Sequence, residues 1–280
     1  MTALSLLSPA KLNLMLHITG RREDGYHHLQ TVFQLLDYGD TLKFSLRQDK
    51  QLHLSPSIAG VANHDNLIIR AASLLQTRTY ASLGANIEIN KILPMGGGLG
   101  GGSSNAASTL LALNQLWNTQ LSIDTLAEIG LELGADVPVF VRGHSAWAEG
   151  IGEQLQAIEI PITWYLVIKP MCKVSTAEVF CHKQLTRDST PITIAAVFEQ
   201  GTRNDCESVV RALYPEVDYA LTWLSQYAPS RLTGTGACVF CSFADQQSAQ
   251  DVLNKLPDTL QGFVAKGLNR SPCHTTLGLT

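Results

Sequence analysis

The chain is short of charge. Lys, Arg, Asp and Glu together make up 16% of its 280 residues, the net charge is −4 and the pI is near 6.0. That balance leaves no basic stripe for long nucleic acids and no polybasic surface for membranes, so neither is an expected partner. Long apolar runs are missing too: none approaches the ~20 residues of a membrane span. The opening MTALSLLSPAKLNL has no basic lead-in, and Pro9 and Lys11 interrupt its apolar residues, which predicts no secretory signal and a cytoplasmic site. Cysteine is sparse and scattered. Cys238 and Cys241 form one C-x-x-C on an apparent strand, where residues three apart point to opposite faces. With no second pair and no helix-borne His pair to complete a zinc site, they read as buried structural thiols.

Apolar residues and glycine, by contrast, are well supplied. Hydrophobic residues reach 45%, the range of a globular chain that buries a real core. Six of the 22 glycines fall within seven positions of KILPMGGGLGGGSS, residues 91–104. Glycine costs backbone entropy, so such a run needs a reason. A linker is a poor one, because the run lies inside a domain between a strand and an Ala/Ser-rich helix. A loop whose amides converge on an anion at a helix N-terminus is a better one. Ser103 and Ser104 add hydroxyls for phosphate or magnesium. No lysine follows the glycines, which excludes a Walker loop. The dinucleotide spacing Gly96-x-Gly98-x-x-Gly101 lacks the acidic residue of a second strand about twenty residues on.

Periodicity supplies the surroundings. Leu12, Leu14, Leu16 and Ile18 alternate and predict a strand with one buried face, stopped by Gly20. Lys11, Asn13, Met15 and His17 then share the other, polar face. Residues 29–47 predict two strands about a turn at Asp37–Asp40. Helices are expected after a cap at Asp65 or Asn66, from Ser103 or Ser104 through LLALNQLW, and after Ser122 or Asp124. ADVPVFVRG reads as a turn into a short strand. Pro161 marks a boundary. Beyond it the expectations are a strand in WYLVIKP, helices at 176–183, within 205–227 and at 245–255, and strands in RLTGTGACVFCSF and FVAKGL. The fold class is α+β in two domains, 1–158 and 159–280.

Pro94–Ala107 fits P-x-G-x-G-L-G-x-x-S-S-x-A-A and resembles the signature loop of the GHMP kinases, named for galactokinase, homoserine kinase, mevalonate kinase and phosphomevalonate kinase. SPAKLNLMLHITGRREDGYHHLQTVFQLLDYGD, ELGADVPVF and RLTGTGACVFCSF are similar, in order, to three further blocks of that family. The resemblance implies a ribosomal protein S5 domain 2-like N-terminal domain, a ferredoxin-like C-terminal domain, and ATP with Mg2+ as cofactors. Its expected acceptor is the 2-hydroxyl of 4-diphosphocytidyl-2-C-methyl-D-erythritol in the non-mevalonate isoprenoid route, acted on by a monomer or weak homodimer. By position, Asp136 is then the general base and Lys11 its partner. Pro94, Met95, Gly96, Gly97, Gly98 and Leu99 hold the ATP phosphates together with Gly100, Gly101, Gly102, Ser103 and Ser104. Ser104 is also the implied magnesium ligand, and Asn66 lies near the adenine. Asn13 lines the same site as Lys11, and Thr176 lies close to the substrate. Tyr26 and His27 receive the cytosine, with Phe180 stacking on its other side. On the residues alone, Asp136 before Val137–Pro138 equally fits a turn or cap, Lys11 a solvated strand lysine and Phe180 ordinary core. Asn105 and Gly97 depart from the commoner Asp and Ala of the family. The alternatives are another small-molecule kinase of homoserine or mevalonate type, which has no use for DGYHHL, and a non-catalytic nucleotide-binding relative.

Overall fold

The computed structural model describes residues 3–199 and 203–279. The N-terminal half runs β1 (Ala3–Arg21), β2 (His27–Arg47), β3 (Leu52–Ser55), α1 (Leu67–Thr79), β4 (Gly84–Asn90), α2 (Gly101–Leu116), α3 (Ile123–Leu131), α4 (Val137–Arg142), β5 (Ala146–Glu149) and β6 (Gln154–Ala157). The C-terminal half runs β7 (Trp164–Pro170), α5 (Thr176–Cys181), α6 (Ile194–Glu199), α7 (Glu207–Leu213), α8 (Pro215–Leu224), β8 (Arg231–Leu232), β9 (Val239–Phe243), α9 (Gln246–Leu253), β10 (Leu260–Leu268) and α10 (Pro272–Leu277). The mixture is α+β, as expected. The strands follow the path β3-β4-β2-β10-β7-β9-β8, with β1 and β5 also on β2 and β6 on β5. One core lies between the β2/β4 face and α1–α4; a second lies between β7/β9 and α7–α9.

Several expectations change. Residues 29–47 form one strand, not two about a turn. Pro9 pairs with Gly39 and Lys11 with Leu35, so Leu36–Tyr38 bulge out of the ladder instead of reversing it. The bulge is where β10 docks: Gly267 pairs with Leu36, and the Lys266 amide donates to Asp37 Oδ1 at 2.7 Å. β1 is covered on both sides. Met15 is 1% exposed and His17 7%, so the face read as polar is interior. A second irregularity at Leu14 shifts the parity of the strand. As a result Leu16, not Met15, follows Lys11 and Asn13 along one cavity wall. ADVPVFVRG is helical, not extended: Pro138 sits in the first turn of α4, where its missing N–H costs nothing, and Gly143 closes the helix in the left-handed conformation. Neither Ser103 nor Ser104 caps α2, which starts from Gly100 at φ 69°. β3, α6 and α10 carried no clear periodic signal. Asn66 and Ser122 do cap α1 and α3, each accepting a backbone N–H two or three residues on.

Candidate active site

Two cavities meet at the glycine loop. One, of about 340 Å³, is lined by Pro94–Ser103 with Asn66, Lys91 and Asn105. The other, of about 620 Å³, runs from Lys11, Asn13 and Asp136 past Thr176 to Tyr26, His27 and Phe180. Gly96, Gly98 and Gly100 line both, so the loop is the wall between them. Those three glycines have φ of 69°, 75° and 69°, and the alternation of left-handed residues turns successive amides toward a common concavity.

The loop is held in place by contacts on three sides. Beneath it, Ala237 and Cys238 donate their amides to the carbonyls of Gly96 and Gly97 at 3.3 and 3.1 Å. A Cβ on Gly98 would stand 2.3 Å from the carbonyl oxygen of Thr233, so this close approach admits no side chain. At its entry, Asp40 is fully buried. Its carboxylate accepts from Lys91 Nζ at 2.6 Å, from the amides of Ile92 and Leu93 at 2.8 Å, and from Asn105 Nδ2 at 3.0 Å. Asn105, the departure noted above, thus serves as a donor to a buried carboxylate, a role an Asp could not fill in ionised form. On the third side the Lys11 amide donates to Leu99 O at 3.0 Å.

Lys11 is 3% exposed and its ammonium is fully engaged: Asn13 Oδ1 at 2.6 Å, Gly98 O at 3.1 Å and Asp136 Oδ2 at 3.2 Å. It is therefore no solvated strand lysine. Asn13 is fixed in turn by Thr31 Oγ1 and, through its amide, by Thr233 Oγ1, both at 2.9 Å. Asp136 stands at the N-cap position of α4, yet its side chain makes no capping bond. The carboxylate is spent on Lys11 instead, and Oδ1 has no partner among the described residues.

At the far end, Tyr26 is 60% exposed at the mouth of the larger cavity. His27 lies against Phe180, with ring centroids 5.1 Å apart and 23° between planes. That spacing leaves no slot for a base between these two rings. His27 Nε2 accepts from Arg187 Nε at 3.1 Å, so the ring has only Nδ1 left for a ligand. Burial, reinforced by the charge of Arg187, holds its imidazole below the usual histidine range. Thr176 Oγ1 meets Thr235 Oγ1 at 2.9 Å. Asn66 spends Oδ1 on capping Ile68 N at 3.0 Å. Ser104 is completely buried, its Oγ has no hydrogen-bond partner among the described residues, and it lines neither cavity. Cys238 and Cys241 lie in different core clusters, and burial pushes both thiols up to about 12. No group of three or more metal-ligating His, Cys, Asp or Glu occurs among the described residues.

Sequence reasoning missed Asp40, Thr31, Thr233 and Arg187. Asp40 was read as a turn residue, although the non-alternating LDYGD was a cue to irregular backbone. Thr233 lies in a recognised glycine block to which no roles were given. Arg187 carried no sequence signal.

A strand–glycine loop–helix cradle backed by a second glycine turn, with a lysine–aspartate pair at its edge, defines a class. The GHMP kinases N terminal domain matches residues 66–144 and the GHMP kinases C terminal domain residues 188–262. The chain belongs to the GHMP kinases and is a small-molecule kinase. Among its relatives, the 4-diphosphocytidyl-2-C-methyl-D-erythritol kinase of Mannheimia succiniciproducens is 58% identical, over 96% of this chain and 89% of that one. The enzyme of the same name from Hahella chejuensis is 56% identical, over 96% and 95%. A crystal structure of 4-(cytidine 5'-diphospho)-2C-methyl-D-erythritol kinase superposes with a TM-score of 0.82 at 29% identity, over 94% of this chain and 99% of that one. No helix among the described residues is long and apolar enough to cross a membrane.

Proposed function

We propose that the chain transfers the γ-phosphoryl group of ATP to the 2-hydroxyl of 4-diphosphocytidyl-2-C-methyl-D-erythritol, with Asp136 as general base. The observation that carries this is the shared glycine wall: a phosphate cradle opens on one side, and the Lys11–Asp136 pair faces the other. A phosphoryl group held at that edge is within reach of a hydroxyl held by Asp136. In-line transfer is mostly positioning and charge stabilisation, which such an arrangement supplies.

The contacts support the following roles. The amides of Gly96–Gly102 and the start of α2 receive the phosphates of ATP, and Asn66 lies beside the adenine. Lys11 holds Asp136 Oδ2, which leaves Oδ1 to take the hydroxyl proton as the new P–O bond forms and the bond to ADP breaks. Proton acceptance of this kind contributes ~10²–10⁴-fold. Asn13 and Thr176 border the methylerythritol portion. Tyr26 at the mouth and Phe180 flank the cytosine, while His27, packed on Phe180, reads the base edge. For magnesium, Ser103 borders the phosphate cradle and would offer a hydroxyl oxygen, whereas Ser104, the ligand the resemblance implies, is buried and lines neither cavity. With no carboxylate cluster nearby, the remaining ligands would be phosphate oxygens and water. The ion supplies charge neutralisation on the phosphates.

The test is coupled ADP release with ATP, magnesium and 4-diphosphocytidyl-2-C-methyl-D-erythritol, run beside homoserine and mevalonate. Turnover with the cytidyl substrate alone is expected. Turnover with another acceptor overturns the substrate assignment but keeps the cradle; no turnover from folded protein overturns the kinase reading of Asp136.

A further inference from the structure

We infer that Arg187 locks the ring tautomer of His27 and thereby makes the base site select cytosine over uracil. The inference rests on the cytidyl substrate proposed above and concerns a residue given no part in that reaction so far.

Arg187 is wired to two distant segments at once. Its Nε donates to His27 Nε2 at 3.1 Å, at the start of β2. Its Nη2 donates to the carbonyls of Phe180 and His182, both at 2.8 Å, and its Nη1 to Leu185 O at 3.1 Å. One guanidinium thus gathers the end of α5 and fixes the imidazole beside it. A guanidinium has only donors and keeps its proton. The nitrogen that faces it must offer a lone pair, so Nε2 is bare and the single ring proton sits on Nδ1. The alternative tautomer would point an N–H at a cation. Charging the ring would do the same, and burial together with Arg187 and Arg21 already depresses its pKa. The ring has little freedom to escape: it is 7% exposed and stacked on Phe180.

His27 therefore presents one N–H and no acceptor to the cavity it lines. At N3, cytosine offers a lone pair and uracil an N–H. A fixed donor pairs with the first and meets the second donor to donor. The carbonyl at C2 is common to both bases and discriminates nothing. Without Arg187 either tautomer is open to the ring, and an Nδ1 lone pair suits uracil. Arg187 touches no substrate atom in this scheme; it is a positioning residue acting through His27.

The experiment compares kcat/KM for the cytidyl substrate and its uridyl analogue in the wild type, Arg187→Met and Arg187→Lys. We expect Arg187→Met to lower the cytidyl preference by about tenfold or more, the cost of losing a buried hydrogen bond, through KM for the cytidyl substrate and with KM for ATP unchanged. Arg187→Lys, which still donates to Nε2, should keep most of the preference. Long-range 1H–15N spectra of the substrate-free protein, with the His27 signals assigned by loss in His27→Gln, should show a protonated Nδ1 and a bare Nε2 in the wild type. In Arg187→Met they should show a mixture or the reverse. A protonated Nε2 in the wild type overturns the proposal. So does an unchanged preference in Arg187→Met with a folded amide spectrum. If Arg187→Met does not fold, the wild-type tautomer and the Arg187→Lys ratio decide. Wild-type enzyme that shows the expected tautomer but turns over neither substrate overturns the substrate reading, and the base selection with it, separately from the ring geometry.

Discussion

The two cavities on either side of the glycine loop are made of different material. The smaller is walled mainly by backbone: residues 94–102 offer amides, and the nearby polar side chains are engaged in holding the fold, Asn66 in a cap and Lys91 and Asn105 on Asp40. The larger is walled by side chains that touch one another in a chain, from Asp136 through Lys11 to Asn13 and, at the other end, from Phe180 through His27 to Arg187. A backbone site fails when the path of the chain changes; a side-chain site fails when one functional group is removed. On the proposed function, the first would recognise what every triphosphate has in common, and the second what distinguishes one alcohol from another.

The sharpest break should come from the side-chain cavity. Asp136→Asn keeps the shape and removes the proton acceptor, so kcat should fall ~10²–10⁴-fold while both KM values hold. Steady-state kinetics in both substrates checks this; wild-type kcat would remove Asp136 from the chemistry. Next is the foundation of the backbone cavity. Lys91→Met leaves the fully buried Asp40 carboxylate without its cation, which should cost about 3–5 kcal/mol in denaturant unfolding. Because Asp40 also holds the amides of Ile92 and Leu93, KM for ATP should rise with it. Within the loop, two glycines of nearly equal φ separate conformation from contact. Gly98→Ala meets the Thr233 carbonyl at 2.3 Å, whereas Gly96→Ala, at φ 69°, meets nothing within 4 Å. Gly98→Ala should raise KM for ATP by about tenfold or more through displacement of the loop, since a shift of that size removes a well-placed hydrogen bond or more. The smaller effects lie at the mouth. Tyr26→Ala should raise KM for the cytidyl substrate alone, by roughly 5–150-fold, since stacking on a base is worth ~1–3 kcal/mol. Gly96→Ala should be the mildest, about 1 kcal/mol of left-handed strain. Equal rises in both KM values for Tyr26→Ala would erase the distinction between the cavities.

How far the sequence reveals this depends on the range of each interaction. Elements set by local periodicity, such as α1, β4, α3 and α9, are legible because apolar spacing reflects their single buried face. The glycine run is legible because left-handed residues need glycine. ADVPVFVRG misleads because its side chains are buried nearly all round, from Val137 to Val141, and a continuously apolar segment has no period to read. β1 misleads because its irregularities change the parity of the strand, which alternation cannot anticipate. Asp40 and Arg187 are invisible for a third reason. The side-chain and amide donors to Asp40 stand 51–65 residues away, and the His27 ring that Arg187 fixes stands 160 away, while the other acceptors of Arg187 are backbone carbonyls that leave no mark in the sequence.

The C-terminal segment has a consequence for how the molecule is made. Cys273 is packed in the N-terminal core, His274 Nε2 meets the Val141 carbonyl at 2.8 Å, and Leu268 O receives Ser145 Oγ at 2.7 Å. Domains usually fold in the order in which they leave the ribosome. Here the first half to emerge lacks part of its interior until α10 has been made. The half that bears the glycine loop and α4 therefore completes itself only after α10 has emerged. A nascent chain stalled short of α10 should remain a client for chaperones, and neither half should be obtainable as a stable fragment on its own.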